Sequence, residues 1–336
     1  MKKQIITAAG LALLLSAGLA APVRAFGEML VPVGEAVGSS LQCRGVIVSG
    51  FSEVDTPEGA VCPAQTAGLR PGDVITALNG QAILSGNEFI QRSAAFTGAD
   101  VTLSVQRDGE NFERTVSPRQ NRQGVWQLGL WLRDSVQGIG TVTFYDPATG
   151  GFGALGHGVS LPEGQGLLDA ADGAITAAKV MDVVPGQKGE PGELCGRAEE
   201  ETLGRIERNT PQGIFGECFQ PLGGEALPVA DDSEIRPGAA VIVATVDGGG
   251  PREYAAEIVR VDRSGGETRQ LTIAVTDPAL LSVTGGIVQG MSGSPIVQDG
   301  KLVGAVTHVL VSDPARGYGI SMANMLRASQ TAAQAA

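Results

Sequence analysis

Short runs in which apolar and polar residues alternate, broken by glycine, proline, Asn-Gly and Asp-Gly, fill the chain from residue 30 onward and predict many strands and few helices. Gly45-Val46-Ile47-Val48-Ser49-Gly50 reads as one strand and Val74 to Leu78 as the next, closed by the tight turn Asn79-Gly80. Between them Ala67-Gly68-Leu69 ends a short helix and Pro71-Gly72-Asp73 turns the chain. Asn87 to Ala95 holds Phe89, Ile90 and Ser93 at the spacing of one helix face. Val101 to Val105 alternates as a half-buried strand before the turn Arg107-Asp108-Gly109. A polar link, Arg119 to Gln123, then separates this unit from a second one that starts with the alternation Trp126 to Leu132. Gly140 to Phe144 and Phe152 to Leu155 flank a turn at Asp146 to Gly150 and lead to His157. Further strands are predicted over Ala240 to Val246, Tyr254 to Val261, Thr268 to Val275 and Lys301 to Leu310, with Gly186 to Gly223 as a loop-rich insertion.

The N-terminus departs from this pattern. Lys2 and Lys3 precede a largely apolar stretch of about 16 residues, Ile5 to Ala20, and small residues ending in Val23-Arg24-Ala25. This predicts a leader for export through the Sec pathway, cleaved after Ala25 or, alternatively, near Ala20 or Ala21. The stretch is shorter than the ~20 residues of a spanning helix, although left uncleaved it would tether the protein.

A length of 336 residues suits two domains, and 49 glycines with only 4% aromatic residues favour many short strands. A net charge of −12 argues against a nucleic-acid partner, which needs clustered Lys and Arg, so the expected partner is protein. Four cysteines in an exported chain predict two disulfides, Cys43 with Cys62 and Cys195 with Cys218. The cysteines lack CxxC spacing and no histidine lies near them, so neither a metal nor any other cofactor is expected.

The candidate chemistry lies near the C-terminus, in Gly290-Met291-Ser292-Gly293-Ser294-Pro295. Glycines around a serine allow a turn that exposes Oγ and aims the N–H groups of Gly290 and Ser292 at a developing oxyanion; the competing reading is an ordinary Gly/Ser turn between strands. A serine hydroxyl needs a base, and the chain has two histidines, His157 and His308. His157 is the better candidate, because serine hydrolases commonly draw base and nucleophile from distant segments. For the group that orients the base, Asp277 at a strand-to-turn junction is the first choice, with Asp169, Asp172 and Asp182 as competitors.

The segment from Thr276 to Ile320, with Gly-Met-Ser-Gly-Ser-Pro at 290–295 and Gly-His-Gly-Val at 156–159, resembles the SpoIVB peptidases, sporulation signalling serine proteases. Residues 45–80 resemble a PDZ domain. The resemblance implies a mostly β chain: leader 1–25, PDZ domain 30–118, and a chymotrypsin-like double β-barrel peptidase over 119–336. It implies Ser292 as nucleophile, His157 as base and a required Asp277. It makes Val37-Gly38-Ser39 the PDZ loop that captures a peptide carboxylate, with Phe89 and Ser93 facing the groove. The implied activity is cleavage of a regulatory, membrane-associated protein with an exposed tail, and of the protease itself, in the forespore intermembrane space. That step would release a membrane-embedded processing protease and activate a late sigma factor. A catalytically silent scaffold that only binds peptides is the competing class.

Overall fold

The chain enters the fold through β1 (Met29–Pro32) and the long β2 (Ala36–Phe51). The computed structural model describes residues 29–161, 166–264 and 266–330; the leader read in residues 1–25 lies outside them. The first half of β2 is inserted between two later strands, β11 (Leu130–Tyr145) and β13 (Ala170–Val184). Buried on both sides, it reads as a nearly unbroken run of small and apolar residues from Ala36 to Leu41.

The second half of β2 leaves this sheet. Opposite Asp134 of β11 the register slips from Gln42 to Ile47, and Gly45 takes φ +140° at the corner, where a Cβ would lie 2.6 Å from the Ile75 carbonyl. From there a PDZ module is built out of the chain. Its elements are β3 (Val54–Thr56), β4 (Gly59–Val61), α1 (Pro63–Thr66), β5 (Val74–Leu78), β6 (Gln81–Ala82), α2 (Gly86–Ser93), β7 (Val101–Arg107) and β8 (Glu110–Val116). The hairpin β9 (Arg119–Gln120) and β10 (Trp126–Gln127) follows. Val46, Val48, Ile75, Phe89 and Leu103 form its core. The chain returns through β11, whose first residues pair with the end of β2 and whose later residues pair with its beginning. The PDZ-like module is thus an excursion from the sheet that β2, β11 and β13 share, and the expected boundaries at 30 and 118–119 give way to strands shared by both units.

Two closed barrels carry the rest. β11, β12 (Gly151–Ala154), β15 (Gly213–Cys218), β14 (Glu193–Thr210), β13 and β2 close on themselves through the β2–β11 pairing. The short β16 (Leu227–Pro228) flanks β1. The second barrel runs in the order β17 (Gly238–Ala244), β18 (Arg252–Val261), β19 (Leu271–Val275), β22 (Arg316–Ser321), β21 (Lys301–Val309) and β20 (Pro295–Gln298). Between β19 and β20 lies α3 (Pro278–Thr284), and α4 (Met322–Gln330) ends the described chain. Phe144 and Phe215 of the first barrel meet Ala305, Ile320 and Met325 in a seam cluster. Burial of each large side chain there contributes about 1.5–3 kcal/mol.

Two expectations fail here for physical reasons. Gly186 to Gly223 is no loop-rich insertion, because β14 and β15 are barrel staves. Exposed Glu199-Glu200-Glu201 and the register shift near Ile206 broke the period-2 pattern that marks a strand. All four cysteines are free thiols. Cys43 sits in the first barrel's core, whereas Cys62 caps α1 of the PDZ module. Cys195 faces Asp182 across the sheet, while Cys218 faces Gly204. Burial pushes the Cys43 and Cys218 thiols up to about 11 and about 12, which keeps them protonated and inert.

Candidate active site

Ser292 lies on the loop between α3 and β20, at the seam of the barrels. α3 ends at Gly285 with φ +71°, and the loop then makes two tight turns, Met291 N–H to the Val288 carbonyl and Ser294 N–H to the Met291 carbonyl. The first barrel grips it from one side. Thr141 of β11 donates its N–H to the Ser292 carbonyl at 3.1 Å and its hydroxyl to the Gly290 carbonyl at 2.8 Å. The tip of the β13–β14 hairpin grips it from the other, through Gln289 N–H to Gly192 and Leu194 N–H to Gln289. Within the second barrel Gly293 donates to Val306 at 2.7 Å, and the Ser292 hydroxyl donates to the Thr307 carbonyl at 2.8 Å.

His157 follows β12 on a loop that β14 holds closely. Asn209 of β14 accepts from Val159 N–H at 2.8 Å and donates to the Val159 and Leu168 carbonyls at 2.7 and 2.9 Å. A Cβ on Gly158 would lie 2.6 Å from the Thr210 carbonyl, so only glycine fits there. Just before the histidine, Leu155 holds φ +69°, a strained conformation for a non-glycine residue. The His157 Nδ1 lies 3.0 Å from the Gly158 carbonyl. A carbonyl only accepts, so Nδ1 carries the proton and Nε2 keeps a free lone pair, the tautomer a general base requires.

His308 stands beside it on β21, with ring centroids 5.2 Å apart. Its Nδ1 is buried and has no hydrogen-bond partner among the described residues. Burial lowers the proton affinity of His157, against the Gly158 hydrogen bond that raises it. Burial, His157 and the Arg269 guanidinium together lower His308 to about 4. Both imidazoles are therefore neutral at pH 7.

Unfolding restores their ordinary value of about 6.5, so the unfolded chain binds more protons at lower pH. The stability that the neutral rings give is complete above about 6.5 and is lost as pH falls toward about 4. The melting temperature should hold from pH 8 to 7 and decline from pH 6.5 to 5, above the range of ordinary carboxylates. His308→Phe should flatten that decline, and an unchanged decline in this variant would exclude His308 as its source.

Ser292, His157 and His308 line one cavity of about 740 Å³ at the barrel seam, together with Gly138, Ile139 and Gly290. The N–H groups of Gly290 and Ser292 donate to no carbonyl among the described residues, which leaves both free for a ligand oxygen. A larger cavity of about 980 Å³ adjoins it at Leu167 and Pro211, but no serine, cysteine or histidine lines it, so the smaller one holds the reactive groups.

Asp277 does not line this cavity. It is the N-cap of α3, accepting from Ala279 and Leu280 N–H at 2.9 and 3.0 Å and from Ala255 N–H of β18 at 3.3 Å. The bond from Leu280, with those from Ala255 and Ala279, holds its carboxyl below the usual range. Asp169 pairs with exposed Arg44, Asp172 and Asp182 bond the N–H groups that follow them, and none of the three borders the cavity. Val37-Gly38-Ser39 forms no carboxylate loop. These residues pair with Gly140, Ile139 and Gly138 on one side and with Ala177, Thr176 and Ile175 on the other, so their strand has no free edge. Thr141 and Asn209, which fix the two reactive loops, left no mark in the sequence beyond a polar residue on a strand.

Residues 124–326 match the model of the SpoIVB peptidase S55 family. The chain belongs to that family. In this S55 family member, residues 58–107 match a PDZ domain model. Among curated proteins it is 32% identical over 95 residues to the putative zinc metalloprotease LL2128 of Lactococcus lactis, covering 28% of this chain and 21% of that protein. It is 27% identical over 109 residues to the zinc metalloprotease RasP of Geobacillus kaustophilus, covering 25% of each. The S55 chain thus spans only 21% and 25% of the length of these relatives. Among the described residues no three His, Cys, Asp or Glu side chains gather to hold a metal, and no helix is long and apolar enough to cross a membrane. Similar solved structures include the PDZ domain of the SdrC-like protein Lmo2051 from Listeria monocytogenes, at 24% identity, 26% and 87% coverage and TM-score 0.22. Another is the active form of the Rv3671c protease from M. tuberculosis, at 15% identity, 59% and 76% coverage and TM-score 0.36.

Proposed function

We propose that Ser292 is the nucleophile of this peptidase and His157 its base. The observation that carries this reading is the single cavity lined by Ser292, Gly290 and the Nε2-basic His157, where the Gly290 and Ser292 N–H groups donate to no carbonyl among the described residues. In the resting state the Ser292 hydroxyl bonds the Thr307 carbonyl, so attack begins when Oγ turns from Thr307 to the imidazole. His157 takes the hydroxyl proton, Oγ bonds the scissile carbonyl carbon, and the Gly290 and Ser292 N–H groups receive the oxyanion. His157 then gives the proton to the leaving amine, and water hydrolyses the acyl-enzyme. The Gly158 carbonyl does the orienting that a carboxylate does in many serine proteases.

In this reading Asp277 acts on the loop through α3. Asp277→Asn keeps the cap oxygen that both α3 N–H groups share and should leave the hydrolysis rate within about threefold of wild type. An orienting carboxylate would instead lose about 10⁴-fold on the same change. Rates of peptide hydrolysis for Asp277→Asn and Asp277→Ala separate the two roles, and a 10⁴-fold loss in the asparagine variant returns Asp277 to the catalytic machinery.

The substrate is a protein chosen through the PDZ domain. By family membership it is a regulatory, membrane-associated protein cut during sporulation signalling that leads to a late sigma factor, with self-cleavage in the same compartment. The leader in residues 1–25 supports Sec export to that intermembrane space, with tethering where it stays uncleaved. Treatment with a fluorophosphonate followed by intact mass and peptide mapping tests the site: one adduct, on the peptide containing Ser292, is expected. A folded, unlabelled protein would overturn the assignment.

A further inference from the structure

A PDZ domain binds an extended peptide as an added strand, between the edge of one strand and a helix. In this chain that place is taken. The end of β2 pairs with β5 on one side, through Val46–Ile75 and Ile47–Val74. On the other side it pairs antiparallel with the start of β11, Leu130 with Phe51, Trp131 with Gly50, Leu132 with Val48 and Arg133 with Ile47. Helix α2 packs against both β2 and β11, and the Gly86 N–H at its first turn donates to the Asp134 carboxylate at 3.2 Å. Leu130 and Leu132 pack on the cluster that holds Phe89, Val46 and Val48, whereas Trp131 is 63% exposed on the opposite face. Two inward aliphatic side chains separated by an outward one, on a strand between edge and helix, is the geometry of a bound ligand. The other end of this sheet is β8, where Glu110, Glu113 and Arg114 make poor pairing partners for an incoming strand.

The same strand reaches the reactive loops. Farther along β11, Gly138 and Ile139 line the cavity of Ser292, and Thr141 makes two hydrogen bonds to the serine loop. We propose that Leu130–Arg133 is a self-ligand of the PDZ groove, displaced by an extended peptide with aliphatic side chains at alternate positions, and that β11 carries this displacement to the serine loop through Thr141. The groove is then closed until a partner segment outcompetes a strand present at high effective concentration, which lowers apparent affinity by the fraction of time the groove is open. The second half of the proposal rests on the reading of Ser292 as nucleophile.

The test uses the protein with a synthetic peptide copying residues 128–134. Leu130→Ser/Leu132→Ser weakens the self-ligand and should bind the labelled peptide at least tenfold more tightly than wild type does. Hydrogen exchange on wild type at saturating peptide gives a readout that does not depend on that variant folding. Residues 130–133 should lose protection while residues 47–51 keep it, because one strand replaces another. Retained protection at 130–133 with peptide bound, or no binding by either protein up to about 1 mM, overturns the self-ligand. Fluorophosphonate labelling of wild type should change at least threefold at saturating peptide; an unchanged rate overturns the coupling to the serine loop. A protein never labelled, with or without peptide, fails the nucleophile reading and the coupling with it, while exchange still decides the groove.

Discussion

Ser292→Ala and His157→Ala should each lower kcat/KM for peptide hydrolysis by roughly 10⁴-fold or more, and the double variant should be no worse than either single one. The two groups act as a unit: an alkoxide without a proton acceptor is as unavailable as an acceptor without a hydroxyl. The comparison that gives the experiment its force is His308→Ala. Both imidazoles border the same cavity, so proximity alone does not choose between them. His157 has its Nδ1 proton committed to the Gly158 carbonyl, which leaves Nε2 basic and fixes the ring plane. His308 is lowered to about 4, and its buried Nδ1 bonds nothing among the described residues, so it is a weak base whose ring no hydrogen bond at Nδ1 orients. Its loss should cost less than about 10²-fold, the range of a neighbour that shapes a site without transferring the proton. A His308→Ala loss equal to that of His157→Ala would exchange the two assignments.

The architecture was legible where strands obey period 2 and end in glycine turns. Val74 to Leu78 with Asn79-Gly80, and the strand expected over Lys301 to Leu310, carry their specification locally: the first is a strand at the expected bounds and the second runs from Lys301 to Val309, one residue short. The pattern failed where one strand serves two sheets. β2 has a buried half in the peptidase barrel and a second half in the PDZ module, and nothing in Ala36 to Phe51 announces the change of partners at Gly45. The resemblance assigns Val37-Gly38-Ser39 to a PDZ loop because the strand pattern reads only from Gly45 onward, whereas the strand begins at Ala36. β14 failed for a different reason: an unbroken exposed run from Arg197 to Thr202 and register shifts against β13 and β15 hide its period.

At the candidate site the sequence marked the loops that carry Ser292 and His157, which the fold brings to one cavity, but not the groups that hold those loops. A serine between glycines and a histidine between glycines are local signals, because backbones must approach closely there. Orientation is a long-range matter. Asp277 looked like an orienting carboxylate from its place before Pro278, yet that same Asp-Pro start is what an N-cap with proline at the first helical position requires. The groups that hold the Ser292 hydroxyl at rest and fix the His157 ring are the main-chain carbonyls of Thr307 and Gly158, which no side-chain pattern encodes.

Gly293→Ala should be the most damaging substitution outside the reactive pair. Gly293 has φ +97°, and an added Cβ would lie 2.2 Å from the Thr141 carbonyl and 2.5 Å from the Leu155 nitrogen. Those two groups hydrogen-bond each other at 3.1 Å, so neither can yield without opening the first barrel beside His157. The second barrel cannot yield either, since the Gly293 N–H is tied to Val306 and the adjacent Ser292 carbonyl to Thr141. Overpacking of a rigid contact and an unfavourable backbone conformation together cost about 2–4 kcal/mol. Driving the barrels apart by even ~1 Å costs about 10²-fold in rate, because His157 rides on one barrel and Ser292 on the other. Gly300→Ala supplies the control. Its φ is +73°, but nothing lies within 4 Å of the added Cβ, so strain of about 1 kcal/mol is expected with no loss of rate. Urea unfolding and peptide hydrolysis on the two variants separate backbone strain from the closeness of the barrels. Equal rates for Gly293→Ala and Gly300→Ala would mean that the seam at Thr141 and Leu155 does not set the distance between hydroxyl and base.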